Sequence, residues 1–198
     1  MSDRPYRGAL RQTRQYLALL LIALLQACAT PTDKLDQLAQ SQGFERSELM
    51  AQGFRLLVYR NAQAQAGSVS RRPANSGGIL HVYLEGDGSP WTHRTIVMAD
   101  PTPRRPLMLR LMKLDNQPAA YLGRPCYNGT STDQGCNSSL WTSGRYSSTV
   151  VKSMASGLRV LARRHGASEL WLMGHSGGGA LAVLLARDNP MVTRVVTI

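Results

Sequence analysis

Cysteine and lysine are scarce in this chain of 198 residues. The three cysteines are too few for a disulfide-stabilised miniature fold or for a protein built of several zinc fingers. Only three of the 23 basic residues are lysines, and the arginines are scattered without a basic stretch interleaved with aromatic residues. The formal net charge of +11 therefore favours an arginine-rich solvated surface over a nucleic-acid partner.

The remaining composition is that of a globular domain. Hydrophobic residues make up 43% of the chain, enough for a core, and the 18% of charged residues is too low for a disordered protein. The 18 glycines and 10 prolines exclude collagen-like and low-complexity chains. The length suits a single domain with a targeting segment attached.

Residues 1–27 are typical of an export signal. Arginines are frequent before residue 16, and residues 17–25 form one unbroken apolar run. A membrane-spanning helix needs about 20 apolar residues, so nine are too few, and a basic segment before a short apolar one indicates a secretory signal peptide.

The end of this signal resembles a bacterial lipobox. Leu25, Ala27 and Cys28 match that pattern, with Gln26 a less usual occupant of its position. The resemblance implies cleavage before Cys28 and acylation of its sulfur, with palmitate for example, and of its new amino group. Residues 28–45 would then be a lipid-anchored linker with room for a short helical turn, and the chain would sit in the bacterial cell envelope, on the outer membrane or the periplasmic side. Ordinary signal cleavage near the same place is the alternative, and it would also export the domain.

Cys126 and Cys136 are left as a pair if Cys28 carries lipid. They flank a polar loop rich in Asn, Gly, Ser and Thr. An even number of cysteines in an oxidising compartment predicts a disulfide, whereas two cysteines without a nearby histidine make a poor metal site.

Residues 46–198 alternate between apolar strands and helices, which predicts an α/β domain with a parallel sheet. We expect a connecting loop over 61–78 and a helix that Ser147 or Ser148 caps and Gly166 ends. The predicted strands cover 46–51, 54–60, 79–84, 119–123, 170–173 and 192–198, and two further helices cover 106–113 and 177–187.

A serine lies between the predicted strand at 170–173 and the helix at 177–187, in the sequence Gly174-His175-Ser176-Gly177-Gly178. This is the Gly-x-Ser-x-Gly pattern of a nucleophile elbow, in which a tight turn leaves no room for side chains beside the serine. The helix N-terminus that follows favours developing negative charge. A structural glycine-rich turn is the alternative interpretation.

The loop after the predicted strand at 79–84 reads Glu85-Gly86-Asp87-Gly88. With the elbow, it resembles the α/β-hydrolase superfamily over roughly residues 46–198, in particular bacterial lipoprotein hydrolases with Leu-Glu-Gly-Asp-Gly where relatives carry His-Gly. The resemblance implies a three-layer fold with helices on both faces of a mostly parallel sheet. It also implies that Ser176 is the nucleophile and that the backbone amides of Asp87 and Gly177 form the oxyanion hole, without a cofactor. A mere acidic turn is the alternative, and no His/carboxylate set completes Glu85 and Asp87 into a metal site.

The four histidines do not supply the base that the superfamily places after the nucleophile. We expect His175 to pack against or line the pocket, His81 to be a core residue with its hydrogen bonds satisfied, and His93 to line the cleft. His165 falls in the last turn of a helix, where the dipole favours a cation. After Ser176 the chain has Asp188 but no histidine, so the C-terminal strands and the triad partners of Ser176 are expected to be missing.

These observations predict a membrane-anchored serine hydrolase, esterase- or lipase-like, that acts on carboxylic ester or thioester bonds. A peptidase would use the same machinery. The alternative is a non-catalytic lipoprotein or a truncated remnant without the His and Asp of the triad.

Overall fold

The computed structural model describes residues 29–69, 77–93 and 95–198. The predicted signal peptide and Cys28 lie outside these residues. The helices are α1 (Pro31–Ser41), α2 (Ala62–Val69), α3 (Leu107–Met112), α4 (Ser148–His165) and α5 (Gly177–Arg187), with a 3₁₀ turn at Ser138–Trp141. The strands are β1 (Glu45–Ala51), β2 (Phe54–Arg60), β3 (Gly78–Leu84), β4 (Trp91–Thr92), β5 (Ile96–Val97), β6 (Ala119–Leu122), β7 (Ala167–Gly174) and β8 (Val192–Thr197).

Six strands form the central sheet in the order β1-β2-β6-β3-β7-β8. The neighbouring strands β6, β3, β7 and β8 are parallel to one another. Strands β1 and β2 form an antiparallel hairpin, and β2 also pairs antiparallel with β6. Strands β4 and β5 form a separate two-stranded hairpin. The sheet is therefore mostly parallel, as expected from the alternation of apolar strands and helices.

Alternate residues of the central strands enter two different cores. Leu80, Val82 and Leu84 face the core that contains α4 and α5, whereas Tyr83 and its neighbour Tyr121 face the core that contains α1 and α3. This division follows from the period of two in a strand. Helices thus cover both faces of the sheet, which is the predicted three-layer arrangement.

Helix α4 begins and ends where the sequence predicts. Ser147 is the N-cap, and its hydroxyl accepts a hydrogen bond from the amide of Val150. Gly166 ends the helix with φ of 59°, in the left-handed region that favours glycine. The buried face of the helix carries Met154 and Leu158.

Two stretches expected to be a linker and a connecting loop contain helices. Within the predicted linker at 28–45, residues Pro31–Ser41 form α1, which buries Leu35 and Ala39 against the sheet. The compact unit that contains the sheet extends from Pro31 to Ile198. In the predicted loop at 61–78, α2 begins after Asn61, whose side chain accepts a hydrogen bond from the amide of Ala64.

A disulfide joins Cys126 to Cys136, the pairing expected from the sequence. Cys126 is fully buried in the core that contains α4 and α5, so the bridge ties the polar loop to that core. No helix among the described residues has the length and apolar character needed to cross a bilayer.

Candidate active site

Ser176 lies in the tight turn between β7 and α5. Its backbone has φ of 51° and ψ of −120°, a left-handed conformation that is strained for a residue with a side chain. Strain of this kind concentrates at functional positions. The amide of Ser176 donates to the carbonyl of Ile198 over 2.8 Å, and the residue itself is exposed.

The glycines of the turn are there because the backbone leaves no space. A Cβ on Gly174 would lie 2.3 Å from the carbonyl oxygen of Gly178. A Cβ on Gly178 would in turn lie 2.1 Å from the carbonyl oxygen of Leu84, at the end of β3. Both contacts are with backbone, which cannot swing away, so the strand, the turn and the helix pack at a distance that only glycine permits.

The loop after β3 lies directly beside this turn. A Cβ on Gly86 would be 3.6 Å from the Cβ of Ser176, and a Cβ on Gly177 would be 1.9 Å from Oδ1 of Asp87. The structure thus brings together Ser176, Gly177 and Asp87. No described residue accepts a hydrogen bond from the amides of Gly177 or Asp87.

A cleft of about 420 Å³ opens above Ser176. Its walls are the loop after β3, the segment before α3 and the turn between β7 and α5 that contains Ser176. The residues that line it are Glu85, Gly86, Asp87, Gly88, Ser89, Pro103, Arg104, Arg105, His175 and Ser176.

Asp87 does not point its carboxylate into solvent. Arg124 Nη1 donates to Oδ1 over 2.8 Å, and Arg145 Nε donates to Oδ2 over 2.9 Å. The Tyr146 hydroxyl donates to both carboxylate oxygens. Burial alone would raise the pKa of Asp87, but Arg124, Tyr146 and Arg145 outweigh it and hold that pKa below its ordinary value.

Glu85 is buried beneath the turn and binds backbone. Its carboxylate accepts from the amides of Gly86 (3.2 Å) and Met108 (2.9 Å), and His175 Nδ1 lies 3.7 Å from Oε1. Burial raises the pKa of Glu85, although these hydrogen bonds oppose the rise. His175 lines the cleft above it.

The other histidines lie away from Ser176. His81 pairs with Asp115 (Nδ1 to Oδ2, 2.6 Å) and stacks on Trp171, so it is a core residue with a partner. His93 is exposed in the β4–β5 hairpin and does not line the cleft, contrary to expectation. His165 is half-buried, and this burial lowers its pKa, which opposes the expected cation at the end of α4. The described residues hold no group of three or more metal-ligating side chains.

The sequence interpretation missed Arg124, Arg145 and Tyr146. A signal existed for Arg124: it comes just after β6 as Asp87 comes just after β3, and these strands are parallel neighbours. The carboxyl ends of parallel neighbours meet at one edge of a sheet. Arg145 and Tyr146 lie in the irregular segment before α4, where no periodicity marks them.

Comparison with known families points to lipases. The family model described as Lipase (class 3) matches residues 116–191, a stretch from β6 through α5 that contains Ser176 but is less than half of the chain. No protein of curated function matches the chain by sequence.

Comparison with solved structures adds the fold. A membrane phospholipase A, described as a novel bacterial virulence factor, has 16% identity and a TM-score of 0.54 over 94% of this chain and 51% of its own. The esterase Pf2001 of Pyrococcus furiosus has 11% identity and a TM-score of 0.48 over 85% of this chain and 53% of its own. Epoxide hydrolase A of Mycobacterium thermoresistibile has 14% identity and a TM-score of 0.47 over 78% of this chain and 38% of its own.

This chain thus spans about half the length of the phospholipase, or less for the epoxide hydrolase. At such low identity the similarity to the phospholipase establishes the fold rather than the reaction. The sheet order, the serine turn between β7 and α5 and the similarity to the phospholipase show that the chain has an α/β-hydrolase-type fold.

Proposed function

We propose that this protein is a serine hydrolase that acts on carboxylic ester or thioester bonds, with Ser176 as its nucleophile. The observation that carries the proposal is the left-handed backbone of an exposed serine at the tip of a strand–turn–helix, in an open cleft. A purely structural glycine-rich turn would need neither the exposed hydroxyl nor the strain.

In the proposed reaction, Ser176 Oγ attacks the carbonyl carbon of the ester and gives its proton to a base. The carbonyl oxygen becomes an oxyanion, which the amides of Asp87 and Gly177 stabilise by hydrogen bonds. Collapse of this intermediate expels the alcohol or thiol, which takes up a proton, and leaves an acyl group on Ser176. Water then attacks the acyl carbon and gives a proton to the base, and collapse of this second intermediate expels Ser176 Oγ, which takes up that proton as the carboxylic acid leaves.

The base is the part that these residues do not bring to Ser176. Each of the four histidines is described, and none forms a hydrogen bond with Ser176 Oγ. An alcohol is a weak nucleophile near neutral pH without a neighbouring base. We therefore expect this chain alone to turn over activated esters barely above background.

Membrane anchoring through Cys28 is the second part of the proposal. It rests on the lipobox-like Leu25-Gln-Ala-Cys28, and the similarity to a membrane phospholipase A supports it. An acyl chain on Cys28 would anchor the protein to the cell-envelope membrane. A Cys28→Ser variant should lose metabolic acyl label and membrane fractionation. Unchanged labelling would exclude this anchor.

The nucleophile is tested by supplying the base from solution. A fluorophosphonate probe should label the chain slowly, and added imidazole should accelerate labelling because the cleft is open above Ser176. Peptide mapping must place the label on Ser176 rather than on Ser89, the other serine among the residues that line the cleft. Ser176→Ala should abolish the imidazole-dependent label.

The same experiment separates a nucleophilic serine from a turn with only a structural role. A chain whose turn has only a structural role would show no Ser176-dependent label with or without imidazole. A label that appears equally in Ser176→Ala would also exclude the proposed nucleophile.

A further inference from the structure

The carboxylate of Asp87 is held by more partners than an ordinary turn requires. We infer that Arg124, Arg145 and Tyr146 are positioning residues, which fix the loop after β3 so that the amide of Asp87 faces the reacting carbonyl oxygen. This inference rests on the proposed function. The four residues Asp87, Arg124, Arg145 and Tyr146 are called the Asp87 cluster below.

Arg124 joins the two ends of the loop. Its Nη2 donates to the carbonyl oxygen of Glu85 over 3.2 Å while its Nη1 donates to Asp87. Gly86 is the residue between them, so one guanidinium spans the peptide that lies against Ser176. The side chain of Arg124 is 4% exposed, and a planar guanidinium held in the interior has little freedom to move.

Aromatic side chains hold this guanidinium in place. Arg124 lies over the ring of Tyr127 at 5.5 Å and near that of Tyr146 at 5.9 Å. The Tyr127 hydroxyl donates to the carbonyl oxygen of Asp87 over 3.0 Å. Both the side chain and the carbonyl of Asp87 are therefore bound, which leaves its amide with a fixed direction.

The charges of the Asp87 cluster also suit an oxyanion. The carboxylate of Asp87 packs against Gly177, the other proposed amide donor, and a bare negative charge there would oppose the negative charge that forms in the reaction. Two guanidinium groups bind this one carboxylate, so the cluster carries a net positive charge. The carboxylate of Asp87 thus orders the loop, and the two arginines compensate its negative charge.

The first test measures order in the loop and does not depend on catalysis. Arg145→Gln removes a cluster arginine whose side chain is 36% exposed, so the variant should fold. We expect hydrogen exchange in residues 86–89 of the full chain to rise about tenfold, the factor that corresponds to loss of a charge-assisted hydrogen bond. Unchanged exchange in this segment would overturn the inference.

A matched control exists in the ion pair between β1 and α1. Arg46 binds Asp36, which also accepts from the Tyr59 hydroxyl, so the same three residue types meet there. The side chain of Arg46 is 43% exposed. Arg46→Gln should leave exchange in 86–89 and labelling of Ser176 unchanged. A rise in exchange equal to that of Arg145→Gln would mean a general loss of stability and would overturn the inference.

The second test separates charge from shape. Labelling of Ser176 by fluorophosphonate with imidazole should slow about tenfold in Arg124→Met, because the Asp87 carboxylate loses one of its two guanidinium partners and its negative charge then opposes the developing oxyanion. Asp87→Asn should slow labelling less, and the double variant should label faster than Arg124→Met alone. A double variant as slow as or slower than Arg124→Met would contradict the electrostatic role.

Different results would contradict the proposed nucleophile and the proposed positioning role. If the wild-type chain shows no Ser176-dependent label while exchange rises in Arg145→Gln, the proposed nucleophile is wrong and the positioning of the loop stands. If Ser176 labels at the wild-type rate in Arg145→Gln and in Arg124→Met, the nucleophile stands and the positioning role is wrong.

Discussion

At the scale of single residues, the two carboxylates of the loop after β3 differ in the sign of their pH dependence. Burial raises the pKa of Glu85, so the folded state favours the protonated side chain more than the unfolded state does. The stability that this contributes is present below the unfolded pKa, about 4.3 for Glu, and is lost as pH rises through the folded pKa. Asp87 has a lowered pKa, so its contribution is present at neutral pH and is lost as pH falls through that value.

Glu85→Gln should therefore become more stable relative to wild type as pH rises from 4 to 7. The amide cannot ionise, and it keeps an acceptor for the amides of Gly86 and Met108. Urea unfolding of both proteins at several pH values measures the difference. Asp87→Asn serves as the control, since the contribution of Asp87 is present above the unfolded pKa of about 3.9 and its difference from wild type should stay nearly constant over this range. A Glu85→Gln difference that is flat with pH would refute the expectation.

The residues at the nucleophile turn were open to prediction because their requirement is local. A turn that leaves no space for a Cβ demands glycine, and the sequence shows those glycines between an apolar strand and an apolar helix. The partners of Asp87 depend on long-range contacts instead. Arg145 and Tyr146 lie 58 and 59 residues further along the chain, and no spacing rule connects them to the loop.

At the scale of secondary-structure elements, α1 contributes to the core. Leu35 and Ala39 are almost completely buried, and the hydroxyl of Thr32 bonds to Thr102 in a loop near the site. Deleting the Leu35 side chain should cost roughly 2–5 kcal/mol of unfolding free energy, the usual range for a buried Leu→Ala change.

Urea unfolding of Leu35→Ala measures this cost. The control is Gln37→Ala in the same helix, where the side chain is exposed and the change should be close to neutral. Equal stability of the two variants would show that α1 does not pack on the sheet in solution.

The disulfide is a second structural feature that supports the site. Cys126 lies between Arg124 and Tyr127, both of which bind the loop after β3. The bridge has a sequence separation of 10, and closing a loop of this size contributes roughly 2–3 kcal/mol in the chain-entropy model.

Reduction of the purified protein should lower its unfolding free energy by that amount. The double variant Cys126→Ala/Cys136→Ala should show no response to reductant, which controls for effects elsewhere. Non-reducing peptide mapping of the exported protein checks the bridge itself, and two alkylatable thiols at these positions would contradict it.

Most elements were predictable because their apolar residues repeat with a clear period. Strand β3 and helix α4 show this plainly, the first as an apolar run and the second as one apolar face. Helix α2 is a short run of Ala, Gln, Gly and Ser without such a face, and its one local signal is the capping side chain of Asn61. The full length of helix α1 was not predicted because its mainly polar composition suits a linker, although Leu35, Leu38 and Ala39 have helical spacing.

At the scale of the whole molecule, the sheet ends on an apolar strand. Strand β8 pairs with β7 on one side and is last in the sheet order, so its other edge has no strand partner among the described residues. Val196 and Ile198 are 49% and 61% exposed. Unpaired backbone groups beside exposed apolar side chains form a template for association with another chain.

We therefore expect the chain to associate as its concentration rises, with β8 at the contact. Val196→Lys should shift the population towards monomer, because a charge on an edge strand opposes pairing. Val183→Lys is the matched control: Val183 is 56% exposed but lies on α5, away from the backbone edge, and should leave association unchanged. Size-exclusion chromatography with light scattering over a range of concentrations measures the mass of each protein. A wild-type chain that stays monomeric throughout, or two lysine variants with equal effects, would exclude β8 as the contact.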